Sequence, residues 1–282
     1  MRPIQLMKIA VLVGVMLMIS PQARAESDQA GINASSIEDG QSLKTHNLSF
    51  AVSVDSVLHN IKRKKDVHLI DVRGSREFDA VHIPGSINIP LYLIKAKPFL
   101  KTGRLVLVDN GYLYGLLADE CEKLAENGFH VSILWGGLNA WKEKGMDFEG
   151  DMFAVRQFGR VSSRDVFLEK YFKERTIINV APEHSSLSAQ LFPEARHAPD
   201  LTGDLLIEIA AEKAPAVFSS ILIFNENGMG YDAMEDIVNK AGVGNVFYLT
   251  GGLDAYAGFL RNIALSNAPP ETRARSVGNC GP

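Results

Sequence analysis

Apolar residues at Val54, Val57, Leu58 and Ile61 recur at helical spacing behind Ser53, which is placed as an N-cap. The unbroken apolar run from Val67 to Val72 then predicts a buried strand. The same succession returns further along: Ser163 stands before Val166, Phe167 and Tyr171, and Thr176 to Val180 is a second buried strand. Pro84 and Pro90 are six residues apart, as are Pro193 and Pro199. Strands at Leu105 to Val108 and at Ile221 to Phe224 each run into a polar, glycine-containing loop, a helix (Leu116 to Glu126 in the first copy) and a short strand. The copies close on Gly136-Gly137-Leu138-Asn139-Ala140-Trp141 and Gly251-Gly252-Leu253-Asp254-Ala255-Tyr256. The offset between copies drifts from 108 (Asp71 to Asn179) to 116 (Asp109 to Asn225), which indicates two related domains with small insertions and not a solenoid. Strands alternating with helices imply, in each domain, a mainly parallel α/β sheet with helices on both faces.

This patterning divides the chain into segments. Residues 1–25 have the form of a secretory signal: basic Arg2 and Lys8, an apolar run from Ile9 to Ile19, then Ala23-Arg24-Ala25. That run is far shorter than the roughly 20 residues a membrane-spanning helix needs, so cleavage is expected, with no membrane insertion afterwards and a periplasmic or secreted product. Residues 26–50 read as a mobile polar lead-in, 51–146 as the first domain, 147–161 as a linker, 162–265 as a more divergent second domain and 266–282 as an extended tail. Without Arg2, Lys8 and Arg24, 26 basic side chains face 33 acidic ones, which argues against nucleic acid or an acidic membrane as partner. The basic run Lys62 to Lys65 reads as a solvated helix end. Two cysteines, Cys121 and Cys280, are too few for a disulfide framework, and the sequence leaves open whether they pair. The seven histidines lack metal-ligand spacing, and no phosphate loop, dinucleotide fingerprint or serine nucleophile elbow is present, so no metal and no cofactor is expected.

The first copy resembles the rhodanese family. Leu69-Ile70-Asp71-Val72-Arg73, Glu77-Phe78 and His82-Ile83-Pro84-Gly85-Ser86-Ile87-Asn88-Ile89-Pro90 match the family's first signature, and Gly136-Gly137 with Trp141 matches its closing one. The tandem arrangement looks like that of the two-domain thiosulfate and mercaptopyruvate sulfurtransferases. The likeness is weaker in the second copy, where Asn179, Ala181 and Glu194 replace the aspartate, arginine and glycine of the signature. The resemblance implies that Asp71 and Arg73 tie a strand end to neighbouring loops. His82 precedes the turn at Pro84 and Gly85 and reads as a turn or packing residue, not a catalytic base; Gly136 and Gly137 supply backbone freedom at a strand-to-helix turn, and Trp141 packs in the core.

In that family a cysteine after the fourth strand attacks a sulfane sulfur and holds it as a persulfide inside a cup of backbone N–H groups, which requires a thiolate in electropositive surroundings. Here the position is Asp109 in the first copy, in a loop Asp109-Asn110-Gly111-Tyr112-Leu113-Tyr114-Gly115, and Asn225 in the second, in Asn225-Glu226-Asn227-Gly228-Met229-Gly230. A carboxylate forms no persulfide and repels anionic donors. Asp109 is expected instead to fill its own cup, with a pKa lowered by the converging N–H groups. Cys121 reads as a small buried hydrophobe, and Cys280 in the glycine-flanked tail as the candidate thiol. Three functions follow as alternatives: an exported, non-catalytic module that binds an unknown protein partner or a small anion through these loops; a sulfurtransferase or sulfur carrier using Cys280 or another nucleophile; or a structural part of an envelope assembly.

Overall fold

A computed structural model describes residues 48–63, 65–183, 185–212 and 219–267. The signal region, nearly all of the lead-in, Lys64 and the tail after Asn267, with Cys280, therefore lie outside the described residues, while Ser266 and Asn267, expected in the extended tail, end a helix. All of the described residues fall within one unit of the chain, Ala34–Pro282.

The first half contains β1 (Ala51–Val52), α1 (Val54–Lys62), β2 (Val67–Asp71), α2 (Ser75–Ala80), β3 (Val81–His82), β4 (Ile87–Asn88), β5 (Arg104–Val108), α3 (Tyr114–Glu126), β6 (His130–Leu134) and α4 (Gly137–Glu143). Then come β7 (Glu149–Gly150), α5 (Met152–Val155) and the second half: β8 (Arg160–Val161), α6 (Ser163–Leu168), β9 (Arg175–Asn179), α7 (Ser186–Leu191), β10 (Arg196–His197), α8 (Gly203–Glu212), β11 (Ser220–Phe224), α9 (Tyr231–Ala241), β12 (Val246–Leu249) and α10 (Gly252–Asn267). The first sheet runs β4-β2-β5-β6-β1 and the second β10-β9-β11-β12-β8, all parallel, so the second repeats the strand order of the first.

Alternation along the central strands builds the core. Leu105 and Leu107 of β5 face one apolar cluster while Val106 and Val108 face another, and in β11 Ile221 and Ile223 are likewise divided from Leu222 and Phe224. Near-continuous apolar strands are what a parallel sheet covered on both faces requires. The halves also exchange aromatic side chains. Tyr112 of the first is buried in a cluster of the second, and Phe172 of the second in a cluster of the first.

Three details differ from the sequence expectations. Residues 147–161 are not bare linker: they hold β7, which pairs antiparallel with β3, and α5, and Val155 and Phe158 are buried. Leu48–Phe50, the end of the expected lead-in, is a turn of 3-10 helix with Leu48 and Phe50 against the first core. The N-cap of α6 is Ser162, not Ser163: Ser162 has extended backbone and its hydroxyl accepts from Asp165 N at 3.2 Å, while the Asp165 carboxylate returns a bond to the cap. The reciprocal bond of a capping box requires that register. Ser162→Ala should therefore cost about 1 kcal/mol in a denaturant melt, whereas Ser163→Ala should stay within about 0.5 kcal/mol of wild type. The reverse order would restore Ser163 as the cap.

Candidate functional site

The strand ends are fastened before the loops begin. Asp71, fully buried at the end of β2, takes a forked ion pair from Arg73, whose Nη2 lies 2.7 Å from Asp71 Oδ2 and also donates to Val81 O at 2.7 Å. The bonds tie β2 to β3, and the forked geometry offsets the burial of both charges. Asn179 replaces the pair in the second half; its Oδ1 accepts from Ala181 N at 2.9 Å. His82 stacks on Phe78 with ring centroids 4.0 Å apart and lies 3.3 Å from Glu149. Pro84 and Gly85 are the central residues of a turn closed by Ser86 N donating to Ile83 O. Trp141 is buried, with Nε1 donating to Asp147 O.

After β5 the chain enters the loop Asp109–Gly115 and is clamped to the turn at Gly136-Gly137. Leu138 N donates to Asp109 O at 2.9 Å and Asn139 N to Asn110 O at 3.3 Å. The approach is too close for side chains: a Cβ on Gly137 (φ +49°) would sit 2.3 Å from Asp109 O, and one on Gly111 (φ +109°) 2.0 Å from Gly136 O. The second half repeats this, with Leu253 N donating to Asn225 O and Asp254 N to Glu226 O. A Cβ on Gly252 would lie 2.5 Å from Asn225 O.

The Asp109 side chain turns back into its own loop. Oδ1 accepts from Gly111 N at 2.8 Å and Oδ2 from Leu113 N at 3.2 Å. Its pKa nevertheless moves opposite to the sequence expectation, up from 3.8 to about 6. Burial is the larger effect, because removing the charge from water costs more than the two N–H groups return, and the nearby Glu169 and Asp71 carboxylates push the same way.

The two amides at the start of α3 are taken by a side chain from the other half. Glu169, 3% exposed, accepts from Gly115 N at 3.1 Å and from Leu116 N at 2.9 Å. Beside it the buried Arg175 guanidinium lies 3.6 Å from the centroid of the Tyr112 ring and donates through Nη2 to Tyr112 O at 2.8 Å. Carboxylates from both halves thus bond to amides of the first loop. Neither Glu169 nor Arg175 was singled out in the sequence. The available signal was a charged residue opening a strand, where Val67 stands in the first copy.

The second loop is open. Asn225 Oδ1 accepts from Gly228 N at 2.6 Å while its Nδ2 donates to Met229 O at 2.7 Å, so the amide satisfies a donor and an acceptor. Glu226 and Gly228 are partly exposed, Asn227 and Gly230 exposed, and Met229 is 72% exposed. Beside the first loop lies a cleft of about 650 Å³, bordered by Arg73, Tyr92, Asp109, Leu113 and the exposed Arg164. Cys121 is fully buried in α3, and burial pushes its thiol up to about 12, leaving a neutral group in the first core. Among the described residues no group of His, Cys, Asp and Glu is arranged to hold a metal ion.

Residues 53–144 match the family model of the Rhodanese-like domain. The matched residues run from α1 to α4 of the first half. Solved structures similar to this chain include a Bacillus halodurans protein (26% identity, TM-score 0.32, covering 36% of this chain and 78% of that one) and a rhodanese-like domain from Anabaena (24%, 0.33, 37% and 81%). A thiosulfate sulfurtransferase from Pseudomonas aeruginosa is 18% identical, with TM-score 0.32, over 74% of this chain and 42% of that one. No curated protein matches the sequence.

Proposed function

We propose that this is an exported, tandem rhodanese-like protein that does not transfer sulfur and instead binds a protein partner or small anion through its former active-site loops. The observation that carries the reading is the chemistry at the two strand ends, where Asp109 and Asn225 each bond to amides of their own loop in place of a thiol. Neither side chain accepts a sulfane sulfur. The repeated strand order and the paired clamps of loop to Gly-Gly turn support the tandem reading. In the first loop, joined to the other half by Glu169, Arg175 and Tyr112, the cleft beside Arg164 is the remaining entrance for an anion. The second loop, with Met229 projecting, offers the surface for a protein partner.

The test is thiocyanate formation from thiosulfate and cyanide by the purified chain, expected at the level of a buffer control. Turnover that survives Cys280→Ser would overturn the reading. Turnover that disappears with that change, together with a one-sulfur mass gain on Cys280, would replace it with the sulfur-carrier alternative. Export is checked separately: the mature chain should begin at Glu26 outside the cytoplasm. Among the described residues no helix is long and apolar enough to cross a membrane.

A further inference from the structure

Basic side chains gather at the end of the first sheet remote from its loop. Lys65 precedes β2, Arg104 opens β5 and His130 opens β6, and these strands are parallel neighbours with Arg104 opposite His130. All three residues are exposed and border one cavity of about 640 Å³ between the sheet and α1, with Val57 and Val106 among its apolar walls. Alternation along β6 puts Ser132, also in the lining, on the face that carries its register partner Val106. In the second half the matching partner of Leu222 is Phe247, which is fully buried. A hydroxyl where the other half has a phenyl ring leaves space beside Val106. The volume is that of a small-molecule site and far exceeds what a bare oxyanion fills.

The side chains that line it define the ligand. Lys65, which the sequence places in a solvated helix end, stands beyond Arg63, the C-cap of α1. Neither Lys65 nor Arg104 has a side-chain partner among the described residues, and the same holds for Asn60 and Ser132. Asp66, the acid of the lining, is drawn to His68, whose Nε2 lies 3.1 Å away. The lining therefore keeps net positive charge, beside an amide and a hydroxyl that are free to bond. A phosphate monoester is close to doubly charged at neutral pH and takes the forked bonds that a guanidinium offers. Sugar hydroxyls complement the amide and the hydroxyl. We propose that this cavity binds a small sugar phosphate, its phosphate at Lys65 and Arg104 and its hydroxyls at Asn60 and Ser132. None of its walls belongs to either strand-end loop, and the site does not depend on whether those loops transfer sulfur.

The test is a calorimetric titration of the full chain with glucose 6-phosphate as probe, and with glucose and inorganic phosphate for comparison. One saturable site is expected for glucose 6-phosphate, weakened by added salt, with inorganic phosphate roughly tenfold weaker or more and no binding of glucose. Lys65→Ala with Arg104→Ala, exposed positions that leave the core intact, should weaken the site roughly tenfold or more and remove much of its salt dependence. Ser132→Phe, which fills the cavity, should abolish it. Arg164→Glu, at the cleft beside the first loop, should change nothing. No binding of the probe, inorganic phosphate held as tightly as the ester, binding unaltered by the Lys65 and Arg104 pair, or loss on Arg164→Glu would each overturn the proposal; if Ser132→Phe fails to fold, the basic pair alone decides.

Discussion

Replacing Glu169 with alanine should lower stability by about 3 kcal/mol, because it strands two N–H groups at the first turn of α3, one of them fully buried. Glu169 lies in the turn after α6, 54 residues from Gly115, and no segment near α3 in sequence supplies an acceptor to these amides. Its carboxylate bonds at 3.1 and 2.9 Å and meets the positive end of the helix. For a chain of this size the loss corresponds to a fall in melting temperature of roughly 6–12 °C. Glu169→Gln keeps one acceptor and should lose about half as much. Thermal melts of the three proteins decide the matter. An alanine variant that melts with wild type would mean that Tyr112 and Arg175 hold the loop without it.

The second large effect is the pH dependence contributed by Asp109. Its pKa is raised from 3.8 to about 6, so between these values the folded chain binds more protons than the unfolded one. Stability from this group is therefore fully present below the unfolded value and is lost as pH rises through about 6. The ionised, buried carboxylate costs about 3 kcal/mol at pH 7 and about half that at pH 5. Asp109→Asn removes the charge and keeps one acceptor, as Asn225 does at the matching place in the second loop. The variant should gain about 1–2 kcal/mol over wild type at pH 7.5, after allowing for the Leu113 N–H left without its acceptor, and the gain should shrink towards pH 5. Denaturant melts of both proteins across pH 5 to 8 measure the difference, in which the other carboxylates cancel. A variant less stable than wild type at pH 7.5, with parallel curves, would show that the N–H groups outweigh burial after all.

Much of the scaffold was legible in the sequence because it is encoded locally. Buried parallel strands announce themselves as short apolar runs, and β2, β5, β9 and β11 fall within a residue of where those runs placed them. The Gly136-Gly137 and Gly251-Gly252 pairs mark turns because the loops approach so closely that no Cβ fits at Gly137 or Gly252. The absence of cysteine at Asp109 and Asn225 needs no coordinates at all. In the structure Asp109 and Asn225 directly follow the central strands β5 and β11.

What the sequence could not decide were properties set by distant segments meeting. That Asp109 folds back onto Gly111 and Leu113 is local, but the sign of its pKa shift is not, since it depends on how completely the folded chain excludes water from the carboxylate and on the Glu169 and Asp71 charges brought near it. Glu169 and Arg175 look like ordinary surface charges until α6 and β9 are laid beside the first loop, 54 and 63 residues away from the groups they bond. The cavity beside α1 is equally invisible in the strand pattern, because it arises where the separate entries to β2, β5 and β6 are brought side by side. Periodicity encodes which residues face a core. Desolvation, ion pairing and packing gaps depend on which other surfaces arrive there, and only the tertiary structure brings those surfaces together.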